Sequence, residues 1–214
     1  MLDIGANIGL VTLWLARLVG KNGKVHAFEP NPELQNTLEK VLERNRLSNV
    51  RLHQIALGSE QAELELRIPR FNAGGASLVR NKTLVDCAVH YVPVRCLSDI
   101  VAEEKIKSIR LMKIDVEGFE MEVMRGATEA LRVIRPEAVL FESNERLKGP
   151  VSEQPVIKLL REFGYGFFSI PKCLLRMRLQ RLDPDSSSEL AGHDLLAARE
   201  GECYERIANS VRAS

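Results

Sequence analysis

The sequence predicts an α/β fold: a parallel sheet covered by helices on both faces and interrupted once by an inserted β-hairpin. Three observations carry that prediction. Strand-like and helix-like segments alternate along most of the chain, the pattern of a parallel sheet whose strands are joined by helical crossovers. A glycine-rich turn, "DIGANIG" at Asp3 to Gly9, stands where the first strand gives way to the first helix. Between Glu60 and Ser98 the alternation stops, and two strand-like stretches flank a loop rich in Gly, Asn and Ser.

The first strand is short, with only Met1 and Leu2 ahead of Asp3. The apolar run "IGLVTLWLARLVG" reads as a buried helix, with Trp14 in the core. It is no signal peptide, because it lacks a basic leading region, contains Arg17 and runs into "KNGK" rather than a small-residue cleavage site. It is also too short to span a bilayer. "KVHAFEP" is a strand that ends in an acid, Glu29. Asn31 then caps a helix with Pro32 at its first position, and Leu34, Leu38, Val41 and Leu42 form its apolar stripe. "NVRLHQIAL" returns as a strand. In the insertion, "AELELRI" and "AVHYVPV" flank "RFNAGGASLVRN", a hairpin with a mobile tip that faces substrate.

After the insertion, "IRLMKIDVEG" is a buried strand, "FEMEVMRGATEALRVI" a helix and "EAVLFES" a strand. "PVIKLLREFG" is helical, "YGFFSI" extended, and "HDLLAAR" closes the series. "LLRMRLQRL" places Leu175, Met177 and Leu179 on one face and Arg176 and Arg178 on the other, a solvated edge strand or, alternatively, an anion-binding rim. "DPDSSSELAG" is a polar loop, and the last dozen or so residues read as a loosely attached tail. The expected organisation is one domain over residues 1–200, with the insertion at about 60–98 and a tail at 201–214.

Composition narrows the function. At 214 residues and 45% hydrophobic, the chain buries one sizeable core. Its 30 basic and 29 acidic residues leave no basic excess, which argues against a general binder of nucleic acid or anionic membranes. Cys87, Cys96, Cys173 and Cys203 form no C-x-x-C pair and no cluster with the histidines. Free thiols in a reducing, cytoplasmic setting are expected, with no zinc site and no disulfide framework.

A strand, a tight glycine turn and a helix make the ligand-binding corner of an open α/β sheet. Gly5 lets the backbone turn, and Gly9 allows close approach of the helix. The spacing is neither the G-x-G-x-x-G of dinucleotide enzymes nor a P-loop, and no phosphate-gripping lysine is present. Glu29 lies about 20 residues beyond Gly9, where an acid accepts both hydroxyls of a ribose. The other reading of Glu29, an acid favoured by the dipole of the next helix, is weaker because Asn31 and Pro32 already account for that helix start. The pattern calls for an adenosine-containing ligand, and the missing phosphate signature favours S-adenosylmethionine over NAD.

"DIGANIG", "FEPNP" (Phe28 to Pro32), "IALG" (Ile55 to Gly58), "MKIDVEGFE" (Met112 to Glu120) and the Glu of "VLFES" together resemble the FkbM family of class I S-adenosylmethionine-dependent methyltransferases. The resemblance runs from the first residues to roughly Ile170, and "HDLLAAR" fits a last sheet strand. It implies a Rossmann-like, mostly parallel, seven-stranded sheet whose last strand is antiparallel. It also implies O-methylation of a small-molecule or glycan acceptor such as a sugar, a polyketide or another metabolite. Cofactor contacts are expected at Asp3, Gly5, Ala6, Asn7, Gly9, Glu29, Pro30, Ala56, Leu57 and Asp115, with no metal. Class I methyltransferases normally carry residues ahead of the first strand that help close the substrate pocket. Here either the domain is truncated, leaving a non-catalytic cofactor-binding remnant, or the insertion supplies the cap. An NAD-dependent oxidoreductase remains as a third alternative, disfavoured by the glycine spacing.

Methyl transfer from a sulfonium is an in-line displacement, so positioning supplies most of the catalysis. A hydroxyl acceptor must also lose its proton, which a nearby carboxylate can take. Asp115, at the end of the fourth strand of the sheet, is the first candidate because a buried strand does not end in an acid without cost. Glu117 and Glu142, at the following turn and at the next strand's end, complete the catalytic set, while Glu117 and Glu120 are also explained as acids of a helix's first turn. Asp115 with Glu142 forms a conceivable metal pair lacking a third ligand, with His193 in reserve. "DVEG" is not the [DN]-P-P-[FY] of amino-group methylation of bases.

Overall fold

The computed structural model of the chain describes residues 1–71, 73–79, 86–142, 151–170, 179–185 and 194–212. Two units make it up, Met1–Lys107 with Asp115–Glu129 and Ser108–Ile114 with Ala130–Ser214. Leu175 to Arg178, the loop residues 186–192 and His193 lie outside the described residues, as does Cys173.

In the first unit, β1 (Leu2–Ile4), β2 (Val25–Phe28) and β3 (Val50–His53) run parallel, with Leu2 opposite His26 and Val25 opposite Val50. Every residue of β1 and β2 is buried, which is why these strands read as unbroken apolar runs. Helix α1 (Leu10–Val19) joins β1 to β2, and α2 (Pro32–Arg44) joins β2 to β3. The start of α2 follows its local chemistry: the Asn31 side chain accepts the Glu33 N–H at 2.9 Å, Pro32 occupies the first turn, and Leu38 packs on Ala6 and Ala27.

Helix α1 departs from expectation. Only Thr12, Leu15 and Ala16 are buried in it, while Leu10, Val11, Leu18 and Trp14, which is 60% exposed, face outward. In a helix apolar all round, periodicity cannot say which face turns to the core. Trp14 is the sole tryptophan of the chain. Its fluorescence in the folded protein is therefore expected to be quenched by acrylamide nearly as efficiently as after denaturation; a strongly protected indole would contradict this placement.

The run "NVRLHQIAL" does not form one strand. It breaks after His53, and β4 (Ala56–Leu57) pairs in parallel with β6 (Cys87–Arg95) of the insertion, which pairs antiparallel with β5 (Ala62–Pro69). These three strands form a separate sheet in the order β4-β6-β5, cored by Leu66, Ile68, Leu78, Val92 and Val94. A short helix that the sequence did not flag, α3 (Leu97–Glu103), follows. The expected long helix after residue 118 is two, α4 (Glu120–Gly126) and α5 (Thr128–Val133). The Thr128 hydroxyl donates to the Arg125 carbonyl at 2.7 Å, a local bond that competes with continuation of the helix.

In the second unit, β7 (Leu111–Ile114) and β8 (Ala138–Glu142) are parallel. Helix α6 (Pro155–Glu162) leads into β9 (Tyr165–Ile170). The edge strand β10 (Gln180–Leu182) lies antiparallel to β9, and β11 (Asp194–Arg199) lies antiparallel to both β8 and β9. Three parallel strands of the first unit (β1 to β3) and five of the second (β7 to β11) make eight among the described residues, one more than the seven expected, the addition being the edge strand β10. Residues 202–212 are not a loose tail but helix α7 (Glu202–Arg212), anchored by buried Cys203 and Ala208 and by Tyr204 against Phe168. No helix among the described residues is long and apolar enough to cross a membrane.

A buried histidine pair gives the fold a pH dependence. His26 Nδ1 and His53 Nε2 are 3.0 Å apart, so one ring donates and the other accepts, and His53 stacks on Phe28 at 4.6 Å between ring centres. Burial, then the neighbouring His53, pushes His26 down from 6.5 to about 4, and burial also lowers His53. The unfolded chain takes up these protons first, so the stabilisation is complete above about pH 6.5 and is lost as pH falls towards 4. Denaturant titrations at pH 7 and pH 4.5 are expected to differ by on the order of 2 kcal/mol from this source. A His26→Asn variant should flatten that part of the profile; an unchanged slope would remove the pair as its cause.

Candidate active site

The site lies wholly within the first unit and begins with the turn after β1. The amides of Gly5 and Ala6 donate to the Phe28 carbonyl at 3.0 and 2.9 Å, which turns the chain tightly across the end of β2. Gly5, Asn7 and Gly9 all have positive φ. At Gly5 the conformation and the space both demand glycine, since a Cβ there would sit 1.9 Å from the Asp115 carbonyl oxygen. Asp115 itself is held to β1 by its N–H, 3.0 Å from the Ile4 carbonyl. Gly9 is the N-cap of α1 and brings no side-chain hydrogen bond to that terminus.

Glu29 follows β2 and is 6% exposed. Its Oε2 accepts the Asn7 N–H at 2.7 Å and its Oε1 the Asn31 N–H at 2.8 Å. It therefore ties the glycine turn to the start of α2, a structural task that sequence reading did not assign to it.

The turn 115–119, most of which lines the pocket, is braced by Glu120. This buried carboxylate accepts the N–H groups of Val116 and Gly118 at 3.3 and 3.2 Å, and burial raises its pKa against those bonds. It acts here as the acid of a helix's first turn, the simpler of the two expectations.

One pocket joins these parts. Gly5, Asn7, Glu29, Pro30, Ala56, Leu57 and Asp115 line it, and so does Glu117. Phe28, Leu34, Ile55, Leu66, Leu78 and Phe119 add apolar wall. Sequence reading missed this second group, for which a run of apolar residues in a strand or insertion gives no signal beyond burial. The charged residues among the described lining are three carboxylates, Glu29, Asp115 and Glu117.

Other expected residues are placed differently. Asp3 is fully buried behind the turn, with the Thr12 hydroxyl donating to its Oδ2 at 2.6 Å, and Ala6 and Gly9 pack inward, Gly9 against Leu38. These three hold the turn in shape and are absent from the pocket lining. Asp115 is exposed and follows the last residue of β7, so the burial cost that singled it out applies instead to Asp3. Glu142 ends β8 in the second unit, opposite Asp194 of β11. No group of three or more His, Cys, Asp or Glu suited to a metal occurs among the described residues.

Comparison with known proteins gives a consistent picture. The family model of the methyltransferase FkbM domain matches residues 3–167. Methyltransferase 1 of Beauveria bassiana is 32% identical over 143 residues, 59% of this chain and 57% of that protein. The 31-O-demethyl-FK506 methyltransferase FkbM of Streptomyces tacrolimicus is 32% identical over 192 residues, 77% of this chain and 71% of that protein. The chain thus spans little more than half the length of the first of these relatives. The crystal structure of methyltransferase FkbM from Methylobacillus flagellatus superposes with a TM-score of 0.53 at 20% identity, covering 92% of this chain and 42% of that one, a likeness of fold.

Proposed function

We propose, because this chain belongs to the family of methyltransferase FkbM domains, that it binds S-adenosylmethionine in the pocket of the first unit and methylates a hydroxyl of a small metabolite or sugar. The observation that carries the choice of cofactor is electrostatic. A pocket lined by three carboxylates, Glu29, Asp115 and Glu117, favours a cationic sulfonium over the pyrophosphate of NAD. When bound, S-adenosylmethionine supplies an electrophilic methyl group.

The residues fit such a ligand part by part. Glu29, fixed by two backbone amides, is placed to accept a pair of ribose hydroxyls. Pro30, Leu34, Ile55 and Leu57 offer an apolar slot for a flat heterocycle. Asp115 and Glu117 also line the pocket, and a carboxylate there would take the proton of an acceptor hydroxyl. The O-methylation reading is supported by the name of the Streptomyces relative, a 31-O-demethyl-FK506 methyltransferase.

Calorimetric titration of S-adenosylhomocysteine and of NAD against the purified chain tests the proposal. Binding of the first and not of the second is expected, and the reverse would overturn it. Glu29→Gln, which keeps the size and one acceptor, should weaken S-adenosylhomocysteine binding by about 1.5–3 kcal/mol, the scale of a charged hydrogen bond. Unchanged affinity in that variant would take Glu29 out of the site.

A further inference from the structure

The insertion does more than fill the side of the pocket. Gly74, Ala76 and Leu78 line it, and between them Ser77 is turned the other way, 2% exposed. Its backbone pairs with Arg67 of β5 through hydrogen bonds of 3.0 and 3.1 Å, so its position is set by the small sheet. Its hydroxyl donates to the carbonyl of Glu117 at 3.0 Å and accepts the Val79 N–H at 3.3 Å. Glu117 has φ of 53° and is followed by Gly118 at 98°, a stretch of backbone in the left-handed region. Val79 also lies against Gly118, 3.5 Å from where a Cβ would stand.

We infer that Ser77 is a positioning residue for ligand binding, a latch whose hydroxyl holds the insertion and the 116–118 turn together as one wall of the pocket. This rests on the pocket being the cofactor site. The physical case is that the insertion meets a turn with two successive residues at positive φ. A non-glycine residue at positive φ is disfavoured by itself and persists only where its surroundings hold it. The Asp115 end of the same turn is separately tied to Ile4, so loss of the latch loosens the wall without displacing Asp115. Ligand then has to order a wall that the native protein presents ready-made, which lowers affinity rather than the rate of the bound complex.

The test uses the full chain and Ser77→Ala. In the absence of ligand, amide hydrogen exchange should accelerate at residues 116–119 as well as at 76–79; acceleration confined to 76–79 would overturn the latch. In a methyl-transfer assay, KM for S-adenosylmethionine should rise about five- to tenfold with kcat within about twofold, the effect of one lost hydrogen bond on binding. An unchanged KM, or a fall in kcat alone that follows the folded fraction in a thermal melt, would overturn the positioning role. If the unaltered chain binds no S-adenosylhomocysteine, the cofactor reading fails, while the ligand-free exchange experiment still decides whether Ser77 couples the two segments.

Discussion

Gly5→Ala is expected to abolish ligand binding and to destabilise the chain by about 3–5 kcal/mol, combining the cost of a side chain at positive φ with that of an overlap. The overlap is with backbone: the added Cβ would lie 1.9 Å from the Asp115 carbonyl oxygen and 3.0 Å from its carbon. No rotamer change relieves it. The turn would have to move away from the strand end, carrying with it the Asn7 amide that orients Glu29. Gly20→Ala is the control, because Gly20 also has positive φ, 70°, but meets nothing within 4 Å. It should lose about 1–3 kcal/mol, the cost of a backbone region that only glycine adopts readily, and leave S-adenosylhomocysteine affinity intact. A melt and a titration on both variants check the pair; equal behaviour of the two would mean that close packing at Gly5 is not what builds the site.

Asp115→Asn should cut turnover by on the order of a hundredfold or more while leaving the melting midpoint close to that of the parent, as expected when a positioned base is lost. The stability half of that expectation follows from the structure. The Asp115 side chain is exposed, and its backbone N–H bonds the Ile4 carbonyl. Asparagine keeps both the backbone and the shape. S-adenosylhomocysteine titration and a methyl-transfer assay with a sugar or polyketide acceptor separate binding from turnover. Normal turnover in the variant would sink the role of Asp115 and pass it to Glu117, which lines the same pocket.

What the sequence by itself determined is what neighbouring residues decide among themselves. The turn from Gly5 to Gly9 was legible because only certain residues adopt positive φ readily, a property of the residue and not of its surroundings. The start of α2 was legible because Asn31 and Pro32 act within one turn. The place of Glu29 at the end of β2 came from the same local register, and the succession of strands and helices came from apolar periodicity.

Tertiary structure decided everything that depends on which distant surface a segment meets. Helix α1 is apolar on all sides, so only packing determined that Trp14 faces outward. The break between β3 and β4 exists because Ala56 and Leu57 find partners in Val94 and Arg95, well along the insertion. Burial moved the costly acid from Asp115 to Asp3. Ser77 stands in an unremarkable Gly/Ala/Ser stretch, and its partner, the Glu117 carbonyl, lies 40 residues away. Backbone carbonyls carry no sequence signature, and a hydrogen bond to one is chosen by geometry that arises only once both segments are folded.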